Sequence, residues 1–294
     1  MSHVLAVDIG GTKLAAGVVD DTGEVLHRAK VPTAGDGPDG LLATLVALLD
    51  EVRAVAADRG AGELGACGVG CGGPMTRTGR EVSPLNIPQW RDFPLAARLA
   101  EATGLAVYVD NDAKALALGE GWCGAAQGCT DYLAMVVSTG VGGGLVVDGR
   151  LLDGHGGNAG HVGHVIVEPD GRPCGCGAIG CLEAEASGTA IRAITGRPAE
   201  EAGPEVIERT GRLVGRGVAS VVNLLDLELV VVAGSVALGF GGPFFAAAQA
   251  ALDASARLEF SAGTRIVPAG LGAEAGLVGA AAIAFQQLGH RAKS

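Results

Sequence analysis

The sequence predicts an α/β protein of two lobes with a cleft between them, and three observations support this prediction. Hydrophobic residues make up 48% of the chain and aromatic residues only 3%, so the core is mostly Val, Leu, Ile and Ala, as in proteins with a buried sheet. Patterns typical of strands alternate with patterns typical of helices along the whole chain. Two stretches, AVDIGGTKLAAGVV and MVVSTGVGGGLVV, share the order strand, glycine-rich turn, strand, which indicates an internal duplication.

The first half of the chain is predicted to open with three strands joined by tight turns and to continue as alternating helices and strands. Each strand is an apolar or β-branched run, and residues typical of turns separate the runs. The first helix has Pro38 near its start and Gly60 just past its end. The predicted strands are residues 3–9, 14–20, 24–31, 66–71 and 105–110, and the predicted helices are residues 38–59, 94–104 and 112–122.

The second half repeats strand, glycine turn and strand within residues 131–152 and then alternates helices with strands. The further predicted helices are residues 203–225, 243–255 and 273–289, and the further predicted strands are residues 227–234 and 264–269. No stretch of disordered composition divides the chain. We therefore predict a small lobe of residues 1–110, a large lobe of residues 111–273, and a C-terminal helix within residues 274–294 that packs back on the small lobe.

Charge and composition exclude several classes of protein. A formal net charge of −11 argues against a nucleic-acid partner, because nucleic-acid binders present a basic face. No apolar run approaches the roughly 18–20 residues of a membrane span, and the start MSHVLAVDIGG lacks the basic leader and cleavage site of a signal peptide. These features predict a soluble, cytoplasmic protein, in which clustered cysteines favour metal or redox chemistry over disulfides.

Both glycine-rich turns are candidate phosphate sites, because backbone N–H groups approach an anion closely where no Cβ intervenes. Asp8 precedes the first turn at the carboxyl end of a strand, where a carboxylate can hold Mg²⁺ or its waters. A tight hairpin turn explains either motif alone, but two matched turns, one of them with an acid and a lysine, favour a nucleotide. The candidate residues are Asp8, Gly10, Gly11, Thr12 and Lys13 in the first turn and Thr139, Gly140 and Gly142 in the second.

Asp112 lies where a predicted strand meets a predicted helix, in the stretch VYVDNDAKALALGE. Asp is favoured as a helix N-cap, so a purely structural role is one interpretation. The other is a general base that takes a proton from a sugar hydroxyl as its oxygen attacks the γ-phosphate, since ligands of α/β proteins bind at the carboxyl ends of strands. The two interpretations are compatible.

The motifs DIGGTK, NDA, STGVGGG and PCGCGAIGC, in this order, resemble the ROK family of sugar kinases and sugar-responsive repressors, over residues 4–288. The resemblance implies two lobes with actin-like, ribonuclease-H-like (ASKHA) folds that close on a hexose. It also implies that the phosphates of ATP, with Mg²⁺, lie on both glycine turns and that adenosine lies near Gly234 and Ser235. By the same likeness Asp112 is the catalytic base, with Asn111 beside it on the sugar hydroxyls.

Three of the seven cysteines fall within PCGCGAIGC, which follows His164. One imidazole and three thiolates form a complete tetrahedral set for zinc, with no position left for water, so the predicted metal is structural. The Cys-x-Cys-x4-Cys spacing is tighter than in common zinc ribbons, and buried free thiols are the alternative. The predicted zinc ligands are His164, Cys174, Cys176 and Cys181, whereas Cys67, Cys71, Cys123 and Cys129 show no partner pattern.

The resemblance assigns His164 and Glu183 to the sugar, His164 through the ring nitrogen that does not bind the metal. One position departs from the family pattern: His161 stands in GHVGH where most kinases of the family have a glutamate that accepts a hydrogen bond from sugar hydroxyls near C2. A carboxylate only accepts, whereas a neutral imidazole offers one donor and one acceptor. The departure leaves the kinase prediction intact and changes the expected substrate. A surface histidine without substrate contact is the alternative.

The residues and the resemblance together predict ATP-dependent phosphorylation of a hexose-like sugar, at the 6-hydroxyl as in a glucokinase. Glucose, mannose, fructose, an N-acylated hexosamine and a cyclitol or antibiotic precursor remain open as substrates, with a neutral polyol favoured over a cationic amino sugar. A non-catalytic, sugar-sensing regulator is disfavoured, because it needs a helix-turn-helix segment and only Met1, Ser2 and His3 stand ahead of the apolar strand. Related proteins are often dimers or tetramers, and the choice between ATP and another phosphoryl donor, such as polyphosphate, is left open.

Overall fold

The computed structural model describes residues 2–289, which form two compact units. The first unit comprises the chain up to residue 127, residues 153–159 and the chain from residue 271, and the second comprises residues 128–152 and 160–270. This division differs from the predicted lobes, because the helix that begins at Asp112 lies in the first unit. The last five residues of the predicted C-terminal segment lie outside the described residues.

Strands and helices alternate along the described chain. The strands are β1 (His3–Ile9), β2 (Lys13–Asp20), β3 (Val25–Pro32), β4 (Leu64–Cys71), β5 (Val107–Asn111), β6 (Tyr132–Val137), β7 (Val141–Val147), β8 (Arg150–Leu151), β9 (Leu229–Ala233) and β10 (Arg265–Pro268). The α-helices are α1 (Gly37–Asp58), α2 (Leu95–Thr103), α3 (Asp112–Cys123), α4 (Leu182–Ala186), α5 (Gly188–Thr195), α6 (Pro204–Leu225), α7 (Ser235–Phe240), α8 (Gly242–Ser255) and α9 (Ala275–Gln287). Short 3-10 helices occupy Val162–His164, Ala199–Glu201, Glu259–Ser261 and Gly272–Glu274.

The sheet of the first unit has the strand order β3-β2-β1-β4-β5. Its first three strands form an antiparallel meander, whereas β4 and β5 run parallel to β1. Leu5 and Val7 of β1 lie in a core shared with α1, and Val4 and Ala6 lie in a core shared with α9, because successive side chains of a strand point to opposite faces. The central strand is therefore buried on both faces, which explains its continuous apolar sequence.

The sheet of the second unit has the strand order β10-β9-β6-β7-β8. Here β6, β7 and β8 are antiparallel neighbours, and β9 and β10 run parallel to β6. Leu133 and Met135 of β6 lie in one core with Val218 and Val222 of α6. Strand order and directions repeat those of the first sheet, with β6 in the place of β1. The internal duplication predicted from the two glycine turns is thereby confirmed at the level of topology.

The predicted strands and long helices are confirmed, and their ends agree within one or two residues. The prediction missed α4, α5 and α7, which are too short to display a helical period of apolar residues. Within residues 2–289 no helix has the length and apolar character that crossing a membrane requires.

Candidate functional site

Three parallel strands of the first sheet end together, and their carboxyl ends carry the acidic candidates. In the register of the sheet Asp8 of β1 pairs with Gly70 of β4, and Gly70 pairs with Asp110 of β5. Asn111 is the last residue of β5 and Asp112 is the first of α3. The edge that these strands form is the one at which α/β proteins bind ligands.

The first glycine turn, between β1 and β2, is closed by its own backbone. The N–H of Gly10 donates to the carbonyl of Lys13 at 3.0 Å. A Cβ on Gly11 would lie 2.8 Å from the side chain of Asn86, so the turn and that side chain are in close contact. The side chains of Thr12 and Lys13 are exposed. The turn thus presents a hydroxyl and an ammonium group next to closely packed glycines.

Asp8 is half-buried at the start of this turn and lies close to a second carboxylate. Burial and, next, the charge of Asp112 raise the pKa of Asp8 to about 6, although the charge of Lys13 opposes the shift. Gly276 in the first turn of α9 packs directly against the carboxylate, since a Cβ there would lie 2.7 Å from Cγ of Asp8. Two neighbouring carboxylates that repel each other form a site that a divalent cation stabilises.

The β5–α3 junction tests the structural role considered for Asp112, that of the helix N-cap. Asn111 is the N-cap of α3, because its Oδ1 accepts a hydrogen bond from the N–H of Ala113 at 3.0 Å. Asp112 is the first helical residue, and its exposed carboxylate also accepts from that N–H, at 2.9 Å. The interpretation of Asp112 as the N-cap is therefore wrong: Asn111 takes that position. The helix dipole still favours an ionised carboxylate in this first turn.

In the second unit the second glycine turn lies beside the stretch AGS. β6 and β9 are parallel neighbours that end together, so the residues that follow them share one edge of the sheet. Ser138 Oγ and Ser235 Oγ are 2.9 Å apart. Gly234 has a φ of 100°, a conformation that favours glycine. The predicted residues that these contacts bring together are Thr139, Gly140, Gly142, Gly234 and Ser235.

Glu183 of α4 is bound to the second glycine turn. Its Oε2 accepts a hydrogen bond from the N–H of Val141 at 2.9 Å. A Cβ on Gly140 would lie 2.7 Å from the same oxygen, so only a residue without a side chain leaves this contact undisturbed. Gly163 of the GHVGH stretch packs against the carbonyl of Val141. The backbone of the turn therefore positions Glu183 and GHVGH together.

The four predicted zinc ligands form one cluster, in which all ligand atoms lie within 4.8 Å of one another. His164 Nδ1 is 3.6 Å from Cys174 Sγ, and the Sγ atoms of Cys176 and Cys181 are 3.7 Å apart. Zn–S bonds of about 2.3 Å place two thiolates of a tetrahedral site about 3.8 Å apart, so these residues fit zinc. Burial raises the pKa of Cys181 to about 12, and a bound cation would be needed to keep its thiolate.

Polar contacts also hold the cysteine loop in place. Glu185 is buried; it accepts a hydrogen bond from the N–H of Arg172 at 2.6 Å and pairs with the guanidinium of Arg209 on α6. A short β-bridge joins Pro173 to Ile179. The loop therefore has a framework of backbone and ion-pair contacts in addition to its sulfur atoms.

His161 and His164 lie on one side of the 3-10 helix Val162–His164. Their ring centroids are 6.1 Å apart, with 19° between the ring planes, because residues three apart in a 3-10 helix are eclipsed. The Nδ1 atom of His164 faces Cys174, so its Nε2 atom is the one left for a different ligand. The two imidazoles form a single polar surface next to the cysteine cluster.

Sequence reasoning missed several residues that support these sites. Asn86 contacts the first glycine turn, Ser138 contacts Ser235, and Glu185 holds the cysteine loop. A buried lysine, Lys114, forms ion pairs beside Asp112. Asp110, near the end of β5, stands four residues before Lys114, and this spacing is a signal that could have indicated the last of these, whereas the other contacts depend on the fold.

The chain matches known proteins over most of its length. The family model described as "ROK family" matches residues 4–287. An N-acetylmannosamine kinase of Escherichia fergusonii is 37% identical over 255 residues, and the match covers 81% of this chain and 84% of that protein. The crystal structure of a ROK hexokinase from Thermus thermophilus has a TM-score of 0.83 and 37% identity, and the match covers 98% of this chain and 99% of that one.

A ROK family glucokinase from Streptomyces griseus, solved in complex with glucose and AMPPNP, has a TM-score of 0.83 and 32% identity. The match covers 97% of this chain and 100% of that one. Together with the two mixed sheets, these likenesses confirm the predicted actin-like, ribonuclease-H-like fold class.

Proposed function

The chain belongs to the ROK family, and we propose that it is an ATP-dependent kinase that phosphorylates the 6-hydroxyl of a hexose-type sugar. The observation that carries the proposal is the pair of neighbouring carboxylates, Asp8 and Asp112, beside the first glycine turn. In phosphoryl transfer to an alcohol, one carboxylate can take the proton and another can hold the cation that accompanies ATP. The relatives named above are sugar kinases, and one of them binds glucose with AMPPNP, which supports the same chemistry here.

In the proposed reaction Asp112 removes the proton from the sugar 6-hydroxyl. The sugar oxygen attacks the γ-phosphorus of ATP, and the bond from that phosphorus to the β,γ-bridging oxygen breaks. The products are the sugar 6-phosphate and ADP, and the proton passes from Asp112 to solvent. Asn111, which already fixes the start of α3 through its Oδ1, would donate its amide N–H to a neighbouring sugar hydroxyl.

We assign ATP to the glycine turns of both units. Their N–H groups would bind phosphate oxygens, Lys13 and the hydroxyls of Thr12 and Thr139 would add further donors, and adenosine would lie near Ser235. Asp8 would hold Mg²⁺, which when bound offsets the charge of the phosphates. The residues assigned to ATP and Mg²⁺ are Asp8, Gly10, Gly11, Thr12, Lys13, Thr139, Gly140, Gly142, Gly234 and Ser235.

We also propose that the cysteine cluster binds a structural zinc ion. When bound, zinc keeps the three thiolates ionised and cross-links the loop. Because the protein supplies all four ligands, no coordination position is left for a substrate. His164 would bind the metal through Nδ1 and a sugar hydroxyl through Nε2, and Glu183 would accept a hydrogen bond from the same sugar.

A second candidate substrate is an N-acylated hexosamine, and two observations favour it. The relative that is 37% identical is an N-acetylmannosamine kinase. His161 stands at the position of the usual glutamate, and an imidazole can offer an acetamido group both a donor and an acceptor. The alternative substrates share the proposed chemistry and differ only near C2 of the sugar.

Release of ADP from Mg-ATP tests the proposal with a panel of glucose, mannose, fructose, N-acetylmannosamine, N-acetylglucosamine and myo-inositol. We expect at least one sugar to be turned over and its 6-deoxy analogue to be inactive, because the analogue lacks the attacking oxygen. If the folded protein phosphorylates none of these compounds, the kinase proposal is refuted. Turnover of the 6-deoxy analogue would place the reaction at another hydroxyl.

Gly140→Ala is expected to lower kcat/KM for the sugar about tenfold, which corresponds to about 1.4 kcal/mol of transition-state stabilisation. The added Cβ would lie 2.7 Å from Oε2 of Glu183, which must then give up its bond to the N–H of Val141. Thermal stability should change little, because a flexible side-chain end can move aside. Steady-state kinetics and Tm of this variant are compared with those of the control Gly239→Ala, where no atom lies within 4 Å of the new Cβ. Equal kcat/KM for the two variants would contradict the role assigned to Glu183.

Gly276→Ala is expected to lower kcat and to raise the Mg²⁺ concentration needed for half-maximal rate, each by about tenfold. The new Cβ would overlap the carboxylate of Asp8 and displace it from the edge of the sheet. Alanine is preferred to glycine within a helix by about 1 kcal/mol, which offsets part of the strain in α9. A Mg²⁺ titration at saturating sugar measures the effect, with Gly62→Ala, where the Cβ meets nothing within 4 Å, as the control. An unchanged Mg²⁺ requirement would remove Asp8 from the proposed cation site.

A further inference from the structure

Lys114 is a buried lysine on the helix that carries Asp112, and the proposed reaction does not use it. Its side chain is 2% exposed. Its Nζ lies 2.7 Å from Oδ1 of Asp153 and 3.6 Å from Oδ1 of Asp110. Burial of a charged amine is costly unless the amine is paired and hydrogen-bonded. The two carboxylates therefore compensate for the burial of Lys114.

The first partner, Asp110, connects Lys114 to the β5–α3 junction. Asp110 stands four residues before Lys114, and Asn111 and Asp112 lie between them in sequence. Burial raises the pKa of Asp110, and the charge of Lys114 opposes that shift. The pair thus spans the turn that presents the proposed base.

The second partner, Asp153, begins residues 153–159, which belong to the first unit although the chain on either side belongs to the second. A Cβ on Gly157 would lie 3.0 Å from Cα of Arg77, so this segment contacts the first unit at a second point. Three of its seven residues are glycine, which leaves the backbone with little intrinsic order. His161 follows two residues after the segment ends.

We propose that Lys114 is a positioning residue for the sugar: its ion pair with Asp153 fixes residues 153–159 on the first unit, next to the start of α3. In this role Lys114 touches neither sugar nor phosphate. It acts on the segment that leads to His161 and, through Asp110, on the turn that carries Asp112. The kinetic part of the inference rests on the proposed kinase function, whereas the ordering of residues 153–159 does not.

Asp153→Asn tests the proposal, since the replaced side chain is 59% exposed and its loss creates no buried cavity. We expect amide hydrogen exchange within residues 153–161 to become at least about tenfold faster while other segments keep their protection, with Tm lowered only slightly, because Asp110 still compensates for the burial of Lys114. We also expect KM for the sugar to rise at least about tenfold, while kcat and KM for ATP stay within about twofold. Asp153→Glu, which keeps the charge, should restore most of both properties. Lys114→Met should give the same pattern more strongly.

The matched control is Asp39→Asn, which breaks an exposed ion pair of similar geometry with Arg98 and should change neither exchange in residues 153–161 nor KM for the sugar. Wild-type exchange and kinetics in Asp153→Asn would overturn the proposal. Faster exchange with unchanged KM would also overturn it, because the segment would then have no effect on the sugar. Faster amide exchange throughout the protein, together with a markedly lower Tm, would show that the Lys114–Asp153 pair only stabilises the fold, and this too would overturn the proposal. If the wild-type protein phosphorylates no sugar, the kinase proposal fails and the exchange data still decide whether Lys114 orders the segment.

Discussion

Asp112→Asn is expected to lower kcat for sugar phosphorylation by about 10²–10⁴-fold, the usual contribution of a positioned general base. An amide cannot accept the proton of the 6-hydroxyl, so the sugar oxygen would have to attack ATP without that assistance. The substitution should leave the fold unchanged. Asn111 remains the N-cap of α3, and an amide oxygen at position 112 can still accept from the N–H of Ala113. Single-turnover ADP formation and Tm measure the two effects separately.

Asp39→Asn provides the matched comparison for this prediction as well. Asp39 is likewise an acid in the first turn of a helix, α1, so its replacement removes the same favourable interaction with a helix dipole. It should reduce kcat by less than about twofold. Near-normal turnover in Asp112→Asn would show that the base is another residue, and the neighbouring carboxylate of Asp8 would be the first to examine.

The regular elements are predictable because each one is specified locally. β1 is a continuous apolar run that ends at glycines, and α6 carries a clear apolar face between Pro204 and its end. The short helix α5 shows no apolar period in the sequence; its one local signal is Ser187, a residue type favoured as an N-cap, whose Oγ accepts from the N–H of Ala190 in the structure. Residues 153–159 had none, because the contacts that place them in the first unit, such as that of Asp153 with Lys114, join positions far apart in the chain.

Some residues of the candidate site are likewise predictable from the sequence, and others depend on the fold. Composition and spacing single out the glycine turns and the four predicted zinc ligands, because such motifs combine unusual residue types over short distances. The sequence does not fix whether Asn111 or Asp112 is the N-cap of α3. Both residue types are favoured at an N-cap, and moving the start of the helix by one residue exchanges their roles. The contact of Glu183 with Gly140 and Val141 also depends on the fold, because it joins α4 to a turn about 42 residues earlier in the chain.

Cys176→Ser is expected to abolish stoichiometric zinc binding and to raise KM for the sugar at least about tenfold, because three ligands remain and the ring of His164 loses its fixed orientation. Cys176 is exposed, so the change itself creates no buried cavity. The pairing of Glu185 with Arg209 and the bridge between Pro173 and Ile179 should keep the loop folded in outline. The substitution should therefore weaken binding of the sugar without unfolding the loop.

Elemental analysis for zinc, KM for the sugar and KM for ATP measure the effect. Cys129→Ser is the control, because Cys129 is a partly exposed cysteine of the same unit that lies outside the cluster. A full equivalent of zinc in Cys176→Ser would refute the ligand set. Loss of zinc with an unchanged KM for the sugar would instead separate the metal from substrate binding, and the orientation of the His164 ring would then depend on protein contacts alone.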